Sequence, residues 1–595
     1  MAATVVKTWR LLPHDPDAVG RLARQLGVPG VVAQLLLNRG LCEPEDARRF
    51  LDAPLNGLHP PELLPGVAEA AGRILDAVRG GKTVCVYGDY DVDGLSGAAI
   101  LLRALQLLGA RTRLYVPHRL EEGYGLHRDA LRAEASAGVS TVVTVDCGIA
   151  SVAEAEEARR LGLELIVTDH HEFKERLPDA AVLVHPRLPG KDYPFGKLSG
   201  SAVAFKLAWA LAQRASGGPR VTPRFKDFLL DAVALASLGV VADVVPLHGE
   251  NRILVRHGLH RLSQAPPAGV RALCAAAGLA DGAAVRASDV GFRLAPRLNA
   301  AGRLGSARQV VELLMTTDEE RAAQLAGELE DKNVQRQFLE REMLAEARRL
   351  LEASAEREPP ALVLASNGWH AGVLGIVASR LVELYGRPTL LIAVQKERYP
   401  RNPAAAELGL GSGRSVSGFP LNEALAACDD LLVAHGGHPM AAGFKVRLEH
   451  IDALRERFCA VAASRLPPGP PSPTLTLDAE APLSAFTINV VRDLDRLEPY
   501  GADNRRPIFL CGGLRVDGEP RKVGQGERHL QFRVRQGATV LKAIAFGMAD
   551  RVGELLSAEG ACCLAFTPKI NEWMGRVSVD LEVADFQAGA TARLG

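Results

Sequence analysis

The sequence predicts an α/β protein with two lobes whose sheets are mainly parallel, joined by a long helix and followed by a small C-terminal β-barrel. Short β-branched runs alternate with helix-like stretches between residues 83 and 168, an order that favours a parallel sheet with right-handed crossovers. Residues 318–358 are rich in Glu, Arg, Leu and Ala, with one glycine and no proline, which is typical of one long helix or two abutting helices. Short β-rich runs such as 530–535 and 539–546 indicate the barrel.

Length and composition agree with several domains. At 595 residues, of which 47% are hydrophobic, the chain can bury more than one core. From changes in pattern we predict an N-terminal segment at 1–70, a first lobe at 71–315, a connecting helix at 316–358, a second lobe at 359–465 and, after a stiff proline-rich linker at 466–473, a barrel at 474–595.

Three carboxylates crowd the loop that follows the first apolar run. Asp89, Asp91 and Asp93 lie within the segment 88–94, directly after residues 83–87. Like charges this close raise one another's pKa, and a hard cation with oxygen ligands is the usual way to hold them ionised together. The alternative is a solvated acidic turn. A calcium loop is excluded, because its twelfth position requires Glu and holds Ile100 here.

Two further apolar runs end in the same way. Asp146 follows one of them, and Asp169, His170 and His171 follow the next. Ligands of parallel sheets lie outside the carboxyl ends of the strands, so we expect these side chains to converge with the first three acids at one edge. A His pair alone is more often structural, but the carboxylate of Asp169 can accept a proton from a ring nitrogen and so orient a ligating imidazole.

One more acid interrupts an apolar helix-like run. Asp243 lies within the segment 231–247, which is otherwise almost wholly apolar after its first residue. A buried carboxylate without a partner is costly, so we expect a metal ion or a strong donor beside it, with a helix N-cap as the alternative. Mixed carboxylate and imidazole ligands suit magnesium or manganese better than a closed zinc site.

These residues lie in segments that resemble a known superfamily. Four segments resemble, in order, the four motifs of the DHH phosphoesterases: Gly-Asp-Tyr-Asp-Val-Asp-Gly at 88–94, Val-Asp-Cys-Gly at 145–148, Thr-Asp-His-His at 168–171 and Val-Ala-Asp-Val-Val-Pro-Leu at 241–247. Further segments are similar to the RecJ group of single-strand-specific exonucleases, at 36–51, 295–303, 368–380, 412–415, 436–443 and 497–509. The resemblance covers most of the chain. It implies a RecJ-like N-terminal segment, a DHH first lobe, a DHHA1 second lobe and an OB-fold barrel.

The resemblance also implies an activity and a set of site residues. The activity is 5′ to 3′ hydrolysis of single-stranded DNA in repair and recombination, with release of 5′-mononucleotides. Two divalent cations, Mn²⁺ or Mg²⁺, would activate a water for in-line attack on phosphorus and stabilise the leaving oxygen. The expected metal ligands are Asp89, Asp91, Asp93, Asp146, His170 and Asp243. The expected catalytic residues are Asp91, Asp146 and His171, the last by contacting the scissile phosphate rather than a metal.

The chain departs from the superfamily pattern at one position. Many DHH proteins have a metal-binding His four residues before the second Asp of the first motif, and Tyr87 stands there in this chain. We therefore expect the first ion to depend on Asp89 or on water.

The second lobe contains glycine-rich turns that suit an anion. Backbone amides in such turns can cradle a phosphate, and a guanidinium matches phosphate oxygens with its fork of donors. The alternative is that the glycines only permit tight turns. The predicted phosphate- and DNA-binding residues are Arg297, Arg303, His370, Ser412, Arg414, Gly436, Gly437, His438, Arg505 and Arg506.

Charge gives a local rather than a global indication of nucleic-acid binding. The formal net charge is zero, but binding follows local charge. Between residues 501 and 545, Lys or Arg occupies positions 505, 506, 515, 521, 522, 528, 533, 535 and 542, against acids at 503, 517, 519 and 527. OB barrels pair such basic surfaces with stacking aromatic side chains. The alternative is an ordinary basic strand surface.

Location and partners follow from absent signals and from the resemblance. The nine cysteines are scattered, without a Cys-x-x-Cys pair, which argues against a disulfide framework or zinc ribbon. We expect no membrane span and no secretory signal, and therefore a cytoplasmic location. We also expect a monomer. Single-stranded DNA is the expected partner, with single-strand-binding protein and a helicase as further candidates. Two alternatives remain at this point: a DHH nano-RNA or cyclic-dinucleotide phosphodiesterase, which would lack the N-terminal segment and barrel, and a non-catalytic binding module, which would have lost acids from the motifs.

Overall fold

A computed structural model describes residues 7–173, 175–305, 307–353, 359–394, 408–467, 473–557, 559–573 and 575–594. Most of the proline-rich linker predicted at 466–473 and the last five residues of the connecting helix predicted at 316–358 lie outside the described residues.

The N-terminal segment forms one strand and three short helices. They are β1 Thr8–Leu11, α1 Pro16–Leu26, α2 Gly30–Asn38 and α3 Pro44–Asp52. Helix α1 begins after Asp15, whose carboxylate accepts hydrogen bonds from the amides of Asp17 and Ala18, both at 3.0 Å, and so satisfies two of the donors that a helix start leaves unpaired. The apolar faces of these helices, including Leu22 and Leu36, belong to the hydrophobic core of the C-terminal barrel.

The first lobe is a five-stranded sheet covered by helices. Its elements are α4 Val67–Arg79, β2 Thr83–Gly88, α5 Val92–Leu107, β3 Arg111–Tyr115, α6 Arg128–Ser136, β4 Val139–Val145, α7 Val152–Arg160, β5 Glu164–Thr168, β6 Val182–Val184, α8 Gly200–Ala215, α9 Pro223–Ala242, α10 Gly249–Gln264, α11 Ala268–Ala276, α12 Ala287–Asp289, α13 Ala295–Arg303 and α14 Arg308–Met315. The strand order is β3-β2-β4-β5-β6, and every pairing is parallel. The parallel sheet predicted for this lobe is confirmed.

Close packing of helices behind the sheet depends on glycine. A Cβ on Gly97 in α5 would lie 2.6 Å from Val145 Cγ1 and 3.1 Å from the Cα of Ser201 in α8. Because real Cβ atoms do not approach so closely, only glycine lets α5 pack between the end of β4 and the start of α8. This brings the first turns of two helices to the same edge of the sheet.

A single long helix joins the two lobes, as predicted. Helix α15, Glu319–Ala353, is 35 residues long. Ala322, Leu325 and Leu329 in its first half belong to the core of the first lobe, while Met343 and Ala347 in its second half belong to the core of the second lobe. The helix is therefore packed against both lobes rather than spanning solvent.

The second lobe differs from the prediction in its sheet. Its elements are β7 Leu362–Ser366, α16 Leu374–Tyr385, β8 Thr389–Val394, β9 Leu408–Arg414, α17 Leu421–Ala426, β10 Leu432–His438, β11 Ala441–Arg447 and α18 Ile451–Arg465. In the strand order β10-β11-β9-β8-β7 only β7 and β8 are parallel, and the other three pairings are antiparallel. The expected mainly parallel sheet is thus wrong for this lobe, because β10 and β11 are joined by two residues only, which is a hairpin and not a helical crossover.

The C-terminal domain contains a closed ring of strands. Its elements are β12 Thr474–Leu477, β13 Ala479–Glu480, α19 Ile488–Asp495, β14 Phe509–Val516, β15 Arg521–Val523, β16 His529–Gln536, β17 Thr539–Ala545, α20 Val552–Leu556, β18 Ala561–Trp573 and β19 Arg576–Ala588. The strand order β14-β18-β19-β17-β16 returns to β14 through the pairing of β14 with β16, so five strands close on themselves. Strand β1 pairs with β12 in parallel and joins the N-terminal segment to this domain. Across the described ranges, no helix combines the length and apolar character needed to cross a membrane.

Candidate metal centre

The first motif lies where β2 ends and α5 begins. Asp91 is the N-cap of α5, and its Oδ1 accepts hydrogen bonds from the amides of Asp93 (3.0 Å) and Gly94 (3.2 Å). The helix start therefore holds one oxygen of this carboxylate. Asp89 precedes the cap and is buried, and its Oδ1 has no hydrogen-bond partner among the described residues.

Asp93 is held by a second helix start. Its Oδ2 accepts a hydrogen bond from the amide of Gly200 (2.5 Å), and its Oδ1 accepts one from the amide of Ser201 (3.0 Å). Both amides belong to the first turn of α8, where free N–H groups and the helix dipole favour negative charge. Although the carboxylate is buried, each of its two oxygens accepts a hydrogen bond from a backbone amide.

Three carboxylates surround one imidazole nitrogen. His170 Nε2 lies 3.0 Å from Asp146 Oδ1, 3.6 Å from Asp243 Oδ2 and 3.8 Å from Asp93 Oδ2. Asp146 follows β4 with a φ of 64°, which is costly for a residue other than glycine and is more frequent at functional sites. The convergence expected from the strand ends is therefore present in the structure.

The donor set fits divalent cations. Three overlapping groups have ligand atoms within 4.8 Å of one another: Asp89, Asp91 and Asp146; Asp93, His170 and Asp243; and Asp146, His170 and His171. Asp146 Oδ1 and His170 Nε2 are buried and have no hydrogen-bond partner among the described residues. Buried acceptors without donors are costly unless a cation lies between them. Mn²⁺ and Mg²⁺ accept this mixture of carboxylate and imidazole.

The pKa values of the cluster also favour a bound cation. Burial, followed by repulsion from neighbouring carboxylates, raises the pKa of Asp89, Asp91 and Asp146 and raises that of Asp243 to about 9. Burial lowers the pKa of His170 to about 4, which leaves its ring neutral and able to bind a metal. Without a cation the carboxyl of Asp243 would hold a proton near neutral pH, and a bound cation would favour the ionised forms of all four carboxyls.

The second histidine has a different environment. Its Nδ1 donates a hydrogen bond to Asp169 Oδ1 at 2.8 Å, and Tyr124 Oη lies 3.0 Å from the same nitrogen. Burial opposes charge on both partners, but their hydrogen bond outweighs it: the pKa of Asp169 falls to about 2 and that of His171 rises to about 9. The ring that Asp169 orients is that of His171, because the carboxylate bonds this ring and only the backbone amide of His170. The predicted ligand His170 is not oriented in this way.

Tyr87 lies outside the cluster of donors. Its ring stacks on that of Tyr115 with centroids 4.8 Å apart, and its hydroxyl donates to the carbonyl of Gly125 at 3.1 Å. At this position the chain contributes packing rather than a metal ligand.

Three guanidinium groups meet where the second lobe faces the acids. Arg414 donates to the carbonyl of Gly413 at 2.8 Å, and Arg303 donates to the carbonyl of Gly372 at 3.0 Å. Arg119, which sequence analysis missed, stacks over Tyr90 with its guanidinium 4.8 Å from the ring centroid. Burial and then the charge of Arg119 lower the pKa of both Arg303, to about 9, and Arg414. In the described part of the chain neither Arg119 nor Arg414 has a carboxylate within ion-pair distance, so the group suits an anion.

The other predicted phosphate residues are more dispersed. Ser412 lies in the same strand as Arg414, and its hydroxyl accepts a hydrogen bond from that guanidinium at 3.3 Å. The Nδ1 of His370 accepts a hydrogen bond from the amide of Gly372 at 3.2 Å. Gly436, Gly437 and His438 lie in β10, at the edge of the second sheet.

Three predicted arginines are engaged elsewhere. Arg297 forms an ion pair with Glu330 of α15. Arg505 bonds Asp478 at 2.9 Å within the C-terminal domain, and Arg506 lies 3.6 Å from Glu498. Each of these three guanidinium groups therefore has an acidic partner outside the acid cluster.

The fold and the site together define a metal-dependent phosphoesterase of the DHH type. Three family models match the chain: the DHH family N-terminal domain at residues 83–237, the DHHA1 domain at 358–464 and the RecJ OB domain at 477–585.

Relatives narrow the class to one family. The single-stranded-DNA-specific exonuclease RecJ of Thermus thermophilus is 38% identical over 97% of this chain and 78% of its own length, and that of Bacillus subtilis is 36% identical over 97% of this chain and 70% of its own. The crystal structure of RecJ from Thermus thermophilus in complex with Mn²⁺ superimposes with a TM-score of 0.81, at 36% identity, over 99% of this chain and 80% of that one. The chain belongs to the RecJ family.

Proposed function

We propose that this chain is a metal-dependent exonuclease that hydrolyses single-stranded DNA from the 5′ end, releases 5′-mononucleotides and acts in DNA repair and recombination. The observation that supports this best is the cluster of five aspartates and a neutral histidine, His170, facing a group of arginines that have few acidic partners. Cations would occupy the cluster of aspartates and His170, and the phosphates of a strand would lie against both this cluster and the arginines.

The chain's own residues divide the chemistry between them. Asp89, Asp91, Asp93, Asp146, His170 and Asp243 would hold two divalent cations. When bound, such ions lower the pKa of a water and stabilise charge on the leaving oxygen. His171 would donate a hydrogen bond to the scissile phosphate, since its raised pKa keeps the ring charged near neutral pH and Asp169 fixes its orientation.

The direction in which a strand is digested would be set by a group of three arginines. Arg119, Arg303 and Arg414 lie together on the side of the cluster that faces the second lobe. A 5′-terminal phosphate carries more negative charge than an internal phosphodiester, so a site with excess positive charge selects the end of a strand over its interior. Digestion would then start at the 5′ end.

The barrel would supply affinity for the rest of the strand. Phe546 is 51% exposed at the end of β17, and its ring lies edge-on to that of His529 with centroids 5.2 Å apart. Around this pair Arg521, Lys522 and Arg528 are exposed and form no ion pair among the described residues. An exposed aromatic ring beside unpaired cations on the surface of an OB barrel suits stacked bases and their phosphates.

We propose that the chain acts as a monomer in the cytoplasm and that single-strand-binding protein and a helicase deliver its substrate, as the family resemblance implies. The domain division 1–70, 71–315, 316–358, 359–465 and 474–595 is proposed with one amendment: the N-terminal helices share the core of the barrel and would move with it.

One experiment separates this activity from that of other DHH phosphoesterases. Purified protein with Mn²⁺ is given a 5′-phosphorylated single strand, the same strand as a duplex, a dinucleotide and a cyclic dinucleotide. We expect rapid release of 5′-mononucleotides from the single strand only. Preference for either small substrate, or release starting at the 3′ end, would contradict the proposal.

A further inference from the structure

Arg252 is a buried cation outside the metal centre. Its side chain is about 1% exposed, and no carboxylate lies within ion-pair distance of it in the described parts of the chain. Four of its five N–H groups donate instead to backbone carbonyls: Nε to Phe50 (2.7 Å), Nη1 to Leu497 (3.0 Å), and Nη2 to Arg496 (3.1 Å) and Glu498 (2.8 Å). The guanidinium also stacks over the Phe50 ring, 3.7 Å from its centroid.

The four carbonyls lie at the ends of two helices from other parts of the chain. Phe50 is in the last turn of α3, in the N-terminal segment, and residues 496–498 directly follow α19, in the C-terminal domain. The last carbonyls of a helix have no partner within it and form the negative end of its dipole. Arg252 therefore neutralises the end of α3 and satisfies the carbonyls of the turn that follows α19.

Two effects oppose a positive charge at the position of Arg252. It lies in the first turn of α10, where the helix dipole disfavours a cation, and burial lowers its pKa to about 9. A group that retains its charge against both effects depends on the bonds it makes. The first lobe, the N-terminal segment and the C-terminal domain meet at this single side chain.

The residues that follow these carbonyls in the sequence line a cavity that also includes the neighbour of a predicted metal ligand. Residues 498–502, 505 and 506 line a cavity of about 530 Å³, and Phe292 and Val244, which is next to the predicted ligand Asp243, line the same cavity. A backbone hydrogen bond of 2.9 Å from the amide of Leu247 to the carbonyl of Ala502 connects two of the lining residues. The position of the 496–506 segment thus affects the shape of this cavity.

A second arginine fixes the same segment from the N-terminal side. Arg39 donates to Asn504 Oδ1 at 2.8 Å and to the carbonyl of Arg505 at 2.9 Å. Asn504 in turn donates to the carbonyls of Leu497 and Pro499, both at 2.8 Å.

We propose that Arg252 is a positioning residue that holds the 496–506 segment against the first lobe, so that a strand bound by the barrel enters the metal centre in register. The proposal rests on the proposed function, because it treats the cavity as part of the path of the DNA. Arg252 contacts neither metal nor strand, so its loss affects the use of long strands and not the chemical step.

The test compares Arg252→Met with Arg261→Met in the full-length protein. Arg261 lies on the same helix, but its partner Asp231 is within the first lobe. We expect Arg252→Met to speed hydrogen exchange in peptides covering residue 247 and residues 496–506. We also expect it to raise KM for a long single strand by about tenfold, the effect of having to order a few loosened side chains on binding, with kcat on the same strand unchanged. Arg261→Met should do neither.

A second variant covers the case in which Arg252→Met does not fold, and two outcomes would contradict the inference. If Arg252→Met does not fold, Arg39→Met loosens the same segment from its other side, and should give the same exchange pattern with a smaller rise in KM. Unchanged exchange at 496–506 in the folded Arg252 variant, or an equal effect of Arg261→Met, would overturn the inference. Hydrogen exchange needs no substrate, so it decides the positioning role even if the protein digests no DNA and the proposed function fails.

Discussion

The amide of Gly200 donates a hydrogen bond of 2.5 Å to the carboxylate of Asp93. The two residues are 107 positions apart in the chain, and their contact places the first turn of α8 directly behind the metal centre. The close approach of Asp146 to the same turn explains why residue 200 is glycine. A Cβ there would lie 2.5 Å from both Cβ and Oδ1 of Asp146 and would displace that carboxylate.

We therefore predict that Gly200→Ala abolishes most activity without unfolding the protein. The added methyl group must move Asp146 or the start of α8, and a shift of about 1 Å in a catalytic group can lower the rate about a hundredfold. The control is Gly327→Ala in α15, where no atom lies within 4 Å of the added Cβ. The turnover rate with Mn²⁺ and the melting temperature of both variants are the measurements. Normal turnover of Gly200→Ala would show that the cluster tolerates the shift.

The second prediction concerns the metal itself. Chelation should stop hydrolysis, and Asp146→Asn should not recover it at any Mn²⁺ concentration, because this carboxylate takes part in two of the three groups of ligand atoms. The same variant should melt at a higher temperature than the metal-free parent, since the buried carboxyl must either take up a proton or stay charged among like charges, and the amide avoids both costs. It should also lose most of the rise in melting temperature that Mn²⁺ gives the parent. A full Mn²⁺-induced rise would show that Asp146 is not a ligand.

Stability of the metal-free protein should fall as pH rises. The pKa of Asp243 is about 9 in the fold against 3.8 for an ordinary aspartate, so between these values the folded state binds more protons than the unfolded state. Stability then decreases with increasing pH across this window. Urea unfolding in the presence of chelator at pH 6 and pH 8.5 measures the effect, and Asp243→Asn should reduce the slope. Equal stability of the parent at both pH values would contradict the prediction.

The sequence predicted the metal centre better than its surroundings. Three acid-rich strand ends could be recognised because each follows an apolar β-branched run, and the carboxyl ends of parallel strands meet at one edge. Arg119 and Tyr124 follow β3 at the same edge, but β3 reads Arg-Thr-Arg-Leu-Tyr and does not look like a buried strand. The pairing of β1 with β12, more than 460 residues away, has no local signal at all, since periodicity reports which face is buried and not what covers it.

The fourth prediction tests the 5′ phosphate site. Replacing the 5′ phosphate of a single strand by hydroxyl should slow the first cut about tenfold or more, because hydrogen bonds to charged groups are lost. Later cuts should be normal, since each regenerates a 5′ phosphate. Arg414→Met should remove the difference between the two substrates. Arg380→Met is the control, since Arg380 lies in the same lobe but pairs with Glu340 and Glu383. Equal first-cut rates on both substrates in the parent would exclude the anchoring role.

The last prediction concerns the barrel surface. Deleting the whole domain would be a poor test, because the N-terminal helices share its core and would lose their apolar partner. A substitution on the outer face avoids this. Phe546→Ala should weaken binding of a long single strand about 5- to 100-fold, the effect of losing one stacked base. Because stacking releases no counterions, the dependence of affinity on salt should not change.

An abasic strand makes this test specific. On a strand without bases at the contact, Phe546→Ala and the parent should bind equally, since only the base can stack on the ring. Leu556→Ala, at another exposed apolar side chain of the same domain, should not affect either strand. Arg521→Met should have the opposite signature, with similar losses on both strands and a salt slope smaller by roughly 0.7 for the one phosphate contact removed. Binding is measured by fluorescence anisotropy with Ca²⁺ in place of Mn²⁺, which we expect to prevent digestion. Equal losses on the normal and abasic strands for Phe546→Ala would show that its ring supports the barrel rather than a base.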